Sequence, residues 1–254
     1  MSYRKVEAER GIVWLRQSFD LIRGNPAPFL LMGLVLAVLT MIPLIGLLAL
    51  AVFAQTLYGG VMYAADQQTK GHNAEFDHLF AGFRQAEKLP RLLALCLPGV
   101  AAGIVLTMLA VTVLGGALLA GGLGTAATEQ PEALALSLGG AGLMFLVLAL
   151  AIGLFAYAAV FFATPNVMLS NAAPFDAIKQ SLLACRDNLA ALLMFVLAAF
   201  FISFLLSLVL SFLPMIGSAL LITVLLPWVN VAAYFAYRDV FAASADTAPP
   251  QLEM

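Results

Sequence analysis

Charged residues are scarce in this chain. Only 10% of its 254 residues are Asp, Glu, Lys or Arg, whereas 63% are hydrophobic. Soluble domains carry about 25% charged and about 45–50% apolar residues. A soluble fold of this length has no interior large enough for so much apolar surface, so the composition predicts an all-α integral membrane protein.

Cysteine and histidine are also rare. Cys96 and Cys185 are the only cysteines, and we interpret both as small apolar fillers rather than redox or metal ligands. His72 and His78 stand six residues apart, on different faces of a helix, whereas helical metal ligands commonly stand four apart. No hydroxyl has a patterned histidine partner for a triad. We therefore expect no catalytic residue, no metal site and no cofactor, in a protein that is not an enzyme.

Ionisable groups are missing from the interiors of the long apolar stretches, which run over 24–65, 92–128, 133–175 and 188–237. Buried carboxylates and other charges inside a membrane are the usual sign of a pump or coupled transporter. Their absence argues against proton-coupled transport by that route.

Two of these stretches are too long for one span, since a crossing needs about 20 apolar residues. Each contains a Pro–Gly turn, at Pro43 to Gly46 and at Pro214 to Gly217, which ends one helix and starts another. The sequence thus predicts six transmembrane helices in three hairpins, at about 26–42, 46–65, 91–118, 134–163, 189–212 and 216–237.

All twelve Lys and Arg residues lie in alternate gaps between these helices. The segment 121–133 and the two Pro–Gly turns contain none of them. Lys and Arg are enriched in cytoplasmic loops. The pattern therefore predicts a multi-pass protein of the bacterial inner (plasma) membrane with both termini in the cytoplasm.

An amphipathic helical stretch precedes each hairpin, and we expect it to lie at the cytoplasmic headgroup level. In the first stretch, Ile12, Leu15, Phe19 and Ile22 are predicted to share a face opposite the charged residues. The N- and C-terminal units also form a parallel internal repeat. The predicted repeat units are about 11–65, 75–163 and 175–239, within a single transmembrane domain 1–239 that is followed by a disordered tail, 240–254.

The repeat rests on a few matched residues. Those before the first helix of each unit recur at a spacing of 163, and those of the Pro–Gly turn at a spacing of 171. The matched pairs are Ser18 with Ser181, Arg23 with Arg186, Asn25 with Asn188, and Pro43 with Pro214.

Two sets of residues are candidate contacts. The first ends the interfacial stretches and is suited to an anionic headgroup or an acidic partner, although orientation and snorkelling to lipid phosphates also explain it. It comprises Arg23, Asn25, Arg84, Arg186 and Asn188. The second set is polar and lies within the spans, either as a packing seam or as the wall of a groove. It comprises Gln55, Ser203, Ser207, Ser211 and Asn230.

Three segments carry a family resemblance: His78 to Gln85 before the third helix, Ser181 to Asn188 before the fifth, and Tyr234 to Phe241 at the end of the sixth. With them the chain resembles a family of uncharacterised six-helix inner-membrane proteins of proteobacteria. More distantly it is similar to YciC-type membrane proteins and to the membrane domain attached to some glycerophosphodiester phosphodiesterases. The resemblance implies a location and a helix count, and it supplies no substrate, cofactor or catalytic residue.

The leading functional hypothesis is a non-enzymatic membrane protein that binds lipid or a protein partner through its cytoplasmic interfacial collar. Membrane lipids are the expected partners, with a protein partner or a second copy of the chain as alternatives, and we expect no nucleic-acid partner. A transporter or channel subunit for a small or apolar solute is the second hypothesis, and it requires a polar cavity along Gln55, Ser203 to Ser211 or Asn230. A lipid-acting enzyme is the third, and it requires His72, His78 and acidic residues in one cleft.

Overall fold

The computed structural model describes residues 3–121 and 131–241, and all the regular structure of those residues is helical. The loop around Glu129, predicted to lie outside the cell membrane, falls beyond the described residues. The disordered tail was predicted to begin at residue 240, but the last helix continues to Phe241. The rest of that predicted tail, 242–254, lies beyond the described residues.

The first half of the chain contains α1 (Arg10–Gly24), α2 (Pro26–Met41), α3 (Ile45–Thr69), a 3-10 turn (Phe76–Phe80), α4 (Ala81–Arg84), α5 (Leu89–Ala94) and α6 (Leu97–Gly121). The second half contains α7 (Pro131–Phe161), α8 (Ala163–Ser170), α9 (Pro174–Asp187), α10 (Leu189–Leu210) and α11 (Pro214–Phe241).

Several of these helices are long and apolar enough to cross a bilayer. Among the described residues, such segments are Ile45–Thr69, Leu89–Val113, Gly139–Ser170, Leu189–Leu210 and Ile216–Phe241. A sixth is added if α1 and α2, which meet at 108°, count as one broken span. The chain is therefore all-helical with five to six apolar helices that can span a membrane.

The Pro–Gly turn between α2 and α3 is unusually tight. Leu44 takes φ 61° and ψ −59°, and the amide of Ile45 donates to the carbonyl of Pro43 at 2.7 Å, which is a γ-turn with positive φ. The amide of Gly46 donates to the carbonyl of Ile42 at 3.0 Å. These bonds satisfy backbone groups at a position where the flanking side chains are all apolar.

The second amphipathic stretch is not one helix. It forms the 3-10 turn and the single-turn α4 instead. The amide of Glu75 donates to Nδ1 of His78 at 3.1 Å and thereby caps the 3-10 turn. The turn packs against α3 at Gly60, where a Cβ atom would lie 2.1 Å from the carbonyl oxygen of Leu79. A side chain at residue 60 would therefore exclude the turn.

The described chain divides into two compact units, one formed by 3–96 with 159–241 and the other by 97–158. At the centre of the first unit are α3 and α11, which pack against each other and against α2. Helix α1 packs on α10 and α11, and α8 packs on α3 and α9.

The core of this first unit lies toward the C-terminal ends of α3 and α11. Buried side chains on α3 fall between Thr56 and Asp66, whereas its first turns, from Ile45 to Phe53, expose large apolar side chains. Helix α11 repeats this division, with burial concentrated from Asn230 to Phe241. Exposed apolar surface on the other half is what a lipid environment permits.

The second unit is α6 together with residues 131–158 of α7. Large apolar side chains are exposed along both segments, among them Met108, Val111, Leu146 and Leu150. A Cβ atom added at Gly99 or Gly103 would meet nothing within 4 Å. These two glycine positions of α6 are thus not covered by other described residues of the chain.

Candidate functional site

The Lys and Arg side chains fall into two groups. Most of them are bound by other groups of the protein, in ion pairs or in hydrogen bonds to backbone carbonyls and a tyrosine hydroxyl. The exceptions are Lys5, Arg16, Arg23 and Lys179, which are exposed and form no hydrogen bond or ion pair with any described residue. Three of these exceptions lie on α1 and α9.

On α1 and α9, each unengaged cation follows an exposed apolar residue by four positions. The pairs are Ile12 with Arg16, Phe19 with Arg23, and Phe175 with Lys179, and their apolar members are 47%, 57% and 71% exposed. Residues four apart are neighbours on one helix surface. Each pair therefore presents an apolar group beside a cation, which matches the boundary between acyl chains and phosphates. We call Arg16, Arg23 and Lys179 the cationic rim.

Helix α1 has three faces rather than the two that its sequence predicts. The sequence pattern predicts that Leu15 shares one apolar face with Ile12 and Phe19, but Leu15 is buried together with Trp14 and Ser18 against α10 and α11. Ile12 and Phe19 remain exposed on the flank beside the cations. An amphipathic pattern shows which side chains are apolar, but it does not distinguish those that contact protein from those that contact lipid. The sequence therefore did not predict the separate buried face of Trp14, Leu15 and Ser18.

An apolar cleft of about 250 Å³ opens in the first unit between α1, α2, α10 and α11. Its lining residues are Phe19, Ile22, Phe29, Leu30, Ile202, Leu206, Thr223, Val224, Leu225, Pro227 and Trp228. The indole Nε1 of Trp228 donates to the carbonyl of Leu15 at 3.0 Å, so the polar edge of this ring is already satisfied by the protein. Phe19 and Ile22 bring the rim cation Arg23 next to the cleft along α1.

Pro227 and Gly33 shape one side of the cleft. Proline lacks an amide hydrogen, so the carbonyl of Thr223 loses its usual donor four residues along α11. Helix α2 approaches that carbonyl through Gly33, where a Cβ atom would lie 1.9 Å from the oxygen of Thr223. The absence of a side chain at residue 33 therefore allows α2 to pack closely against α11, beside the cleft residues Thr223 and Pro227.

A buried carboxylate anchors the N-terminal segment. The side chain of Asp239 is 6% exposed, and it accepts hydrogen bonds from Arg4, from Arg10 and, at 3.0 Å, from Nε1 of Trp14. The backbone amide of Arg4 also donates to the carbonyl of Val240 at 2.9 Å. Arg4 and Arg10 therefore have partners within the protein and are not part of the cationic rim.

A second carboxylate, Asp66 on α3, is arranged in a similar way. It accepts from Nζ of Lys70 at 2.6 Å and from the hydroxyl of Tyr234 at 3.3 Å. The guanidinium of Arg238 lies over the Tyr234 ring, 5.8 Å from its centroid. The contact between Asp66 and Tyr234 joins the C-terminal ends of α3 and α11, whereas the Asp239 cluster joins α11 to α1 and the segment before it. Both carboxylates thus have the partners that buried charges require.

The predicted headgroup arginines have different surroundings. Arg23 is exposed and unengaged, whereas Arg84 pairs with Asp77 at 2.8 Å and Arg186 with Asp187 at 3.0 Å. The hydroxyl of Tyr3 donates to Asp187 at 2.7 Å. That bond, followed by the interaction with Arg186, holds the pKa of Asp187 below its ordinary value.

The two predicted asparagines are bound to the backbone. Nδ2 of Asn25 donates to the carbonyl of Ala74 at 3.1 Å. Asn188 is buried, accepts from the amide of Val6 at 2.7 Å and donates to the carbonyls of Arg4 and Ala184. Asn25 thus binds the segment that leads into the 3-10 turn, and Asn188 binds the segment that leads into α1.

The predicted intramembrane polar residues do not gather at the cleft. Gln55 accepts from the hydroxyl of Thr164 at 2.6 Å, so its carbonyl has a partner on α8. Ser203, Ser211 and Asn230 donate to carbonyls of their own helices, and Ser207 is exposed. None of the five lines the apolar cleft.

Sequence reasoning missed Trp14, Arg16, Lys179 and the cleft. The 163-residue spacing that matches Ser18 with Ser181 also matches Arg16 with Lys179, so the predicted repeat offered a signal for those two. The cleft had no such signal, because its walls come from two pairs of consecutive helices, α1 with α2 and α10 with α11, that are far apart in the chain.

No family model, curated protein or solved structure matches the chain. The likeness to a six-helix inner-membrane family thus remains a prediction from the sequence.

Proposed function

We propose that this chain is a non-enzymatic, six-span protein of the bacterial inner membrane that binds anionic phospholipid through its cationic rim. In this proposal, α1 and α9 lie at the cytoplasmic headgroup level, and α1 to α3 and α9 to α11 are repeated units. The observation that carries the proposal is the rim itself: Arg16, Arg23 and Lys179 have no partner among the described residues, and each stands beside an exposed apolar side chain.

Phosphate is the ligand chemistry that fits these cations best. Arginine forms charge-assisted hydrogen bonds to phosphate oxygens, often two at once. Basic residues near an anionic membrane surface contribute about 1 kcal/mol each. An acidic protein partner is the competing occupant, but the apolar residue beside each cation favours a surface that offers acyl chains next to the charge.

The rim is tested by measuring the phospholipid that co-purifies with the protein. We expect the triple variant Arg16→Gln, Arg23→Gln and Lys179→Gln to retain several-fold less phosphatidylglycerol or cardiolipin, with unchanged zwitterionic lipid. The matched control is Arg84→Gln with Arg186→Gln, which removes charges that Asp77 and Asp187 already pair. Equal anionic lipid in the wild type and the triple variant would refute the proposal.

The membrane arrangement is tested separately, by labelling single cysteines in a variant without native cysteines. Cysteine at Lys5 or His72 is expected to react only with reagent on the cytoplasmic side, and cysteine at Glu129 only from the opposite side. Reaction of Glu129→Cys and Lys5→Cys from one common side would contradict the even number of crossings.

A further inference from the structure

We propose that the apolar cleft between α1, α2, α10 and α11 holds one acyl chain of the phospholipid whose phosphate binds Arg23. This inference rests on the proposed function and adds a defined site to it.

The lining of the cleft supports a hydrocarbon occupant. Every inward-facing group is apolar apart from Thr223, whose hydroxyl donates to the carbonyl of Ala219 at 2.8 Å, and Trp228, whose Nε1 is bound to Leu15. A volume of about 250 Å³ is below the roughly 300–1,000 Å³ of pockets that enclose drug-sized ligands. It is suited to a segment of a flexible chain.

The position of Arg23 supplies the headgroup. It follows Ile22, a lining residue, and stands four positions after Phe19, another lining residue, so its guanidinium belongs to the same end of the cleft. Asp20 lies on the same helix but forms no ion pair with Arg23. A phospholipid can therefore place its phosphate on Arg23 while one of its chains enters between Phe19 and Trp228.

Trp228 provides an optical probe of occupancy, because Trp14, the other tryptophan, is buried in the protein. Purified full-length protein is reconstituted in bilayers that contain phosphatidylglycerol with brominated acyl chains, which quench tryptophan at short range. We expect quenching to saturate, with a midpoint at about fivefold lower mole fraction for phosphatidylglycerol than for brominated phosphatidylcholine. The variant Trp228→Phe should lose the saturable component.

Two variants locate the lipid. Ile202→Phe with Leu206→Phe fills the cleft and should move the phosphatidylglycerol midpoint to that of phosphatidylcholine. Leu205→Phe with Leu208→Phe adds the same groups to α10 at positions that do not line the cleft, and should leave the midpoint unchanged. Arg23→Gln should reduce the headgroup preference, whereas Arg84→Gln should not.

Failure of this inference is distinct from failure of the rim. If the rim variants lose anionic lipid but quenching is non-saturable and indifferent to the cleft-filling variant, the rim stands and the cleft site is refuted. If brominated free fatty acid quenches at lower mole fraction than phosphatidylglycerol, the phospholipid assignment is refuted. If neither rim nor cleft variants change anionic lipid binding, both proposals fail.

Discussion

At the scale of single residues, the cations of this chain differ in whether they are bound by another group of the protein. Lys5 and Arg10 come from the same basic N-terminal gap, yet Arg10 pairs with buried Asp239, whereas Lys5 is exposed and forms no hydrogen bond or ion pair with a described residue. Counting charges per gap predicts on which side of a membrane each gap lies. It does not predict which cations are engaged, because that depends on the position of residue 239 in three dimensions.

This difference predicts unequal costs for two similar substitutions. Arg10→Gln leaves Asp239 buried with one charged partner fewer, which should cost about 1–3 kcal/mol and lower Tm by about 2–4 °C per kcal/mol for a chain of this size. Thermal unfolding in detergent measures the shift. Lys5→Gln is the matched control and should leave Tm unchanged, so equal Tm values for both variants would contradict the Asp239 network.

At the scale of helices, the boundaries that were predicted most closely are those marked by proline or a charge. The predicted 26–42 and 189–212 correspond to Pro26–Met41 and Leu189–Leu210. Helices α3 and α11 run several residues beyond their predicted ends, because Asp66 and Asp239 are stabilised by packing and ion pairs rather than by lipid. Hydropathy predicts where the apolar part of a helix ends. The helix itself can continue past that point when its polar side chains, such as Asp66 and Asp239, have partners in the protein.

Packing between α2 and α11 gives a prediction at this scale. Gly33→Ala places a Cβ atom 1.9 Å from the carbonyl oxygen of Thr223 and 2.9 Å from Cγ of Pro227, so the helices must separate. We expect the free energy of unfolding to fall by about 1–3 kcal/mol. The fluorescence emission of Trp228 should also change, because Trp228 lines the cleft beside this contact.

Gly99→Ala on α6 is the control for that substitution, since a Cβ atom there meets nothing within 4 Å. Its stability should equal that of the wild type. A Gly33→Ala variant that unfolds at the wild-type temperature would show that α2 and α11 are not in close contact.

At the scale of the whole molecule, the unit formed by 3–96 and 159–241 contains the buried core, both carboxylate networks and the cleft. Leu95 and Val160, close to the two points where the chain leaves and re-enters this unit, belong to one buried cluster. We therefore expect the unit to fold when 97–158 is replaced by a short Gly–Ser linker.

Folding of this linker variant can be measured by the reactivity of Cys185, in a chain where Cys96→Ser has removed the other cysteine. Its thiol is 4% exposed, and burial raises its pKa to about 12. The reactive thiolate forms as pH rises toward that value, so at pH 8 maleimide labelling should be slow in both the full chain and the linker variant, and fast only in denaturant. Rapid labelling of the native linker variant at pH 8 would mean that the first unit depends on 97–158.

The amino-acid sequence by itself determined that the chain is helical and apolar enough to cross a membrane, because these properties follow from composition, uncharged length and Pro–Gly turns. It also indicated Arg23 as a candidate contact. The tertiary structure alone decided that Arg84 and Arg186 are paired, that Arg16 and Lys179 are not, and that four helices enclose an apolar cleft. The two ion pairs are local, with Asp77 seven residues before Arg84 and Asp187 adjacent to Arg186, so they depend on how the backbone folds within each segment. The cleft depends on residues that are distant in the chain and meet only when the helices pack.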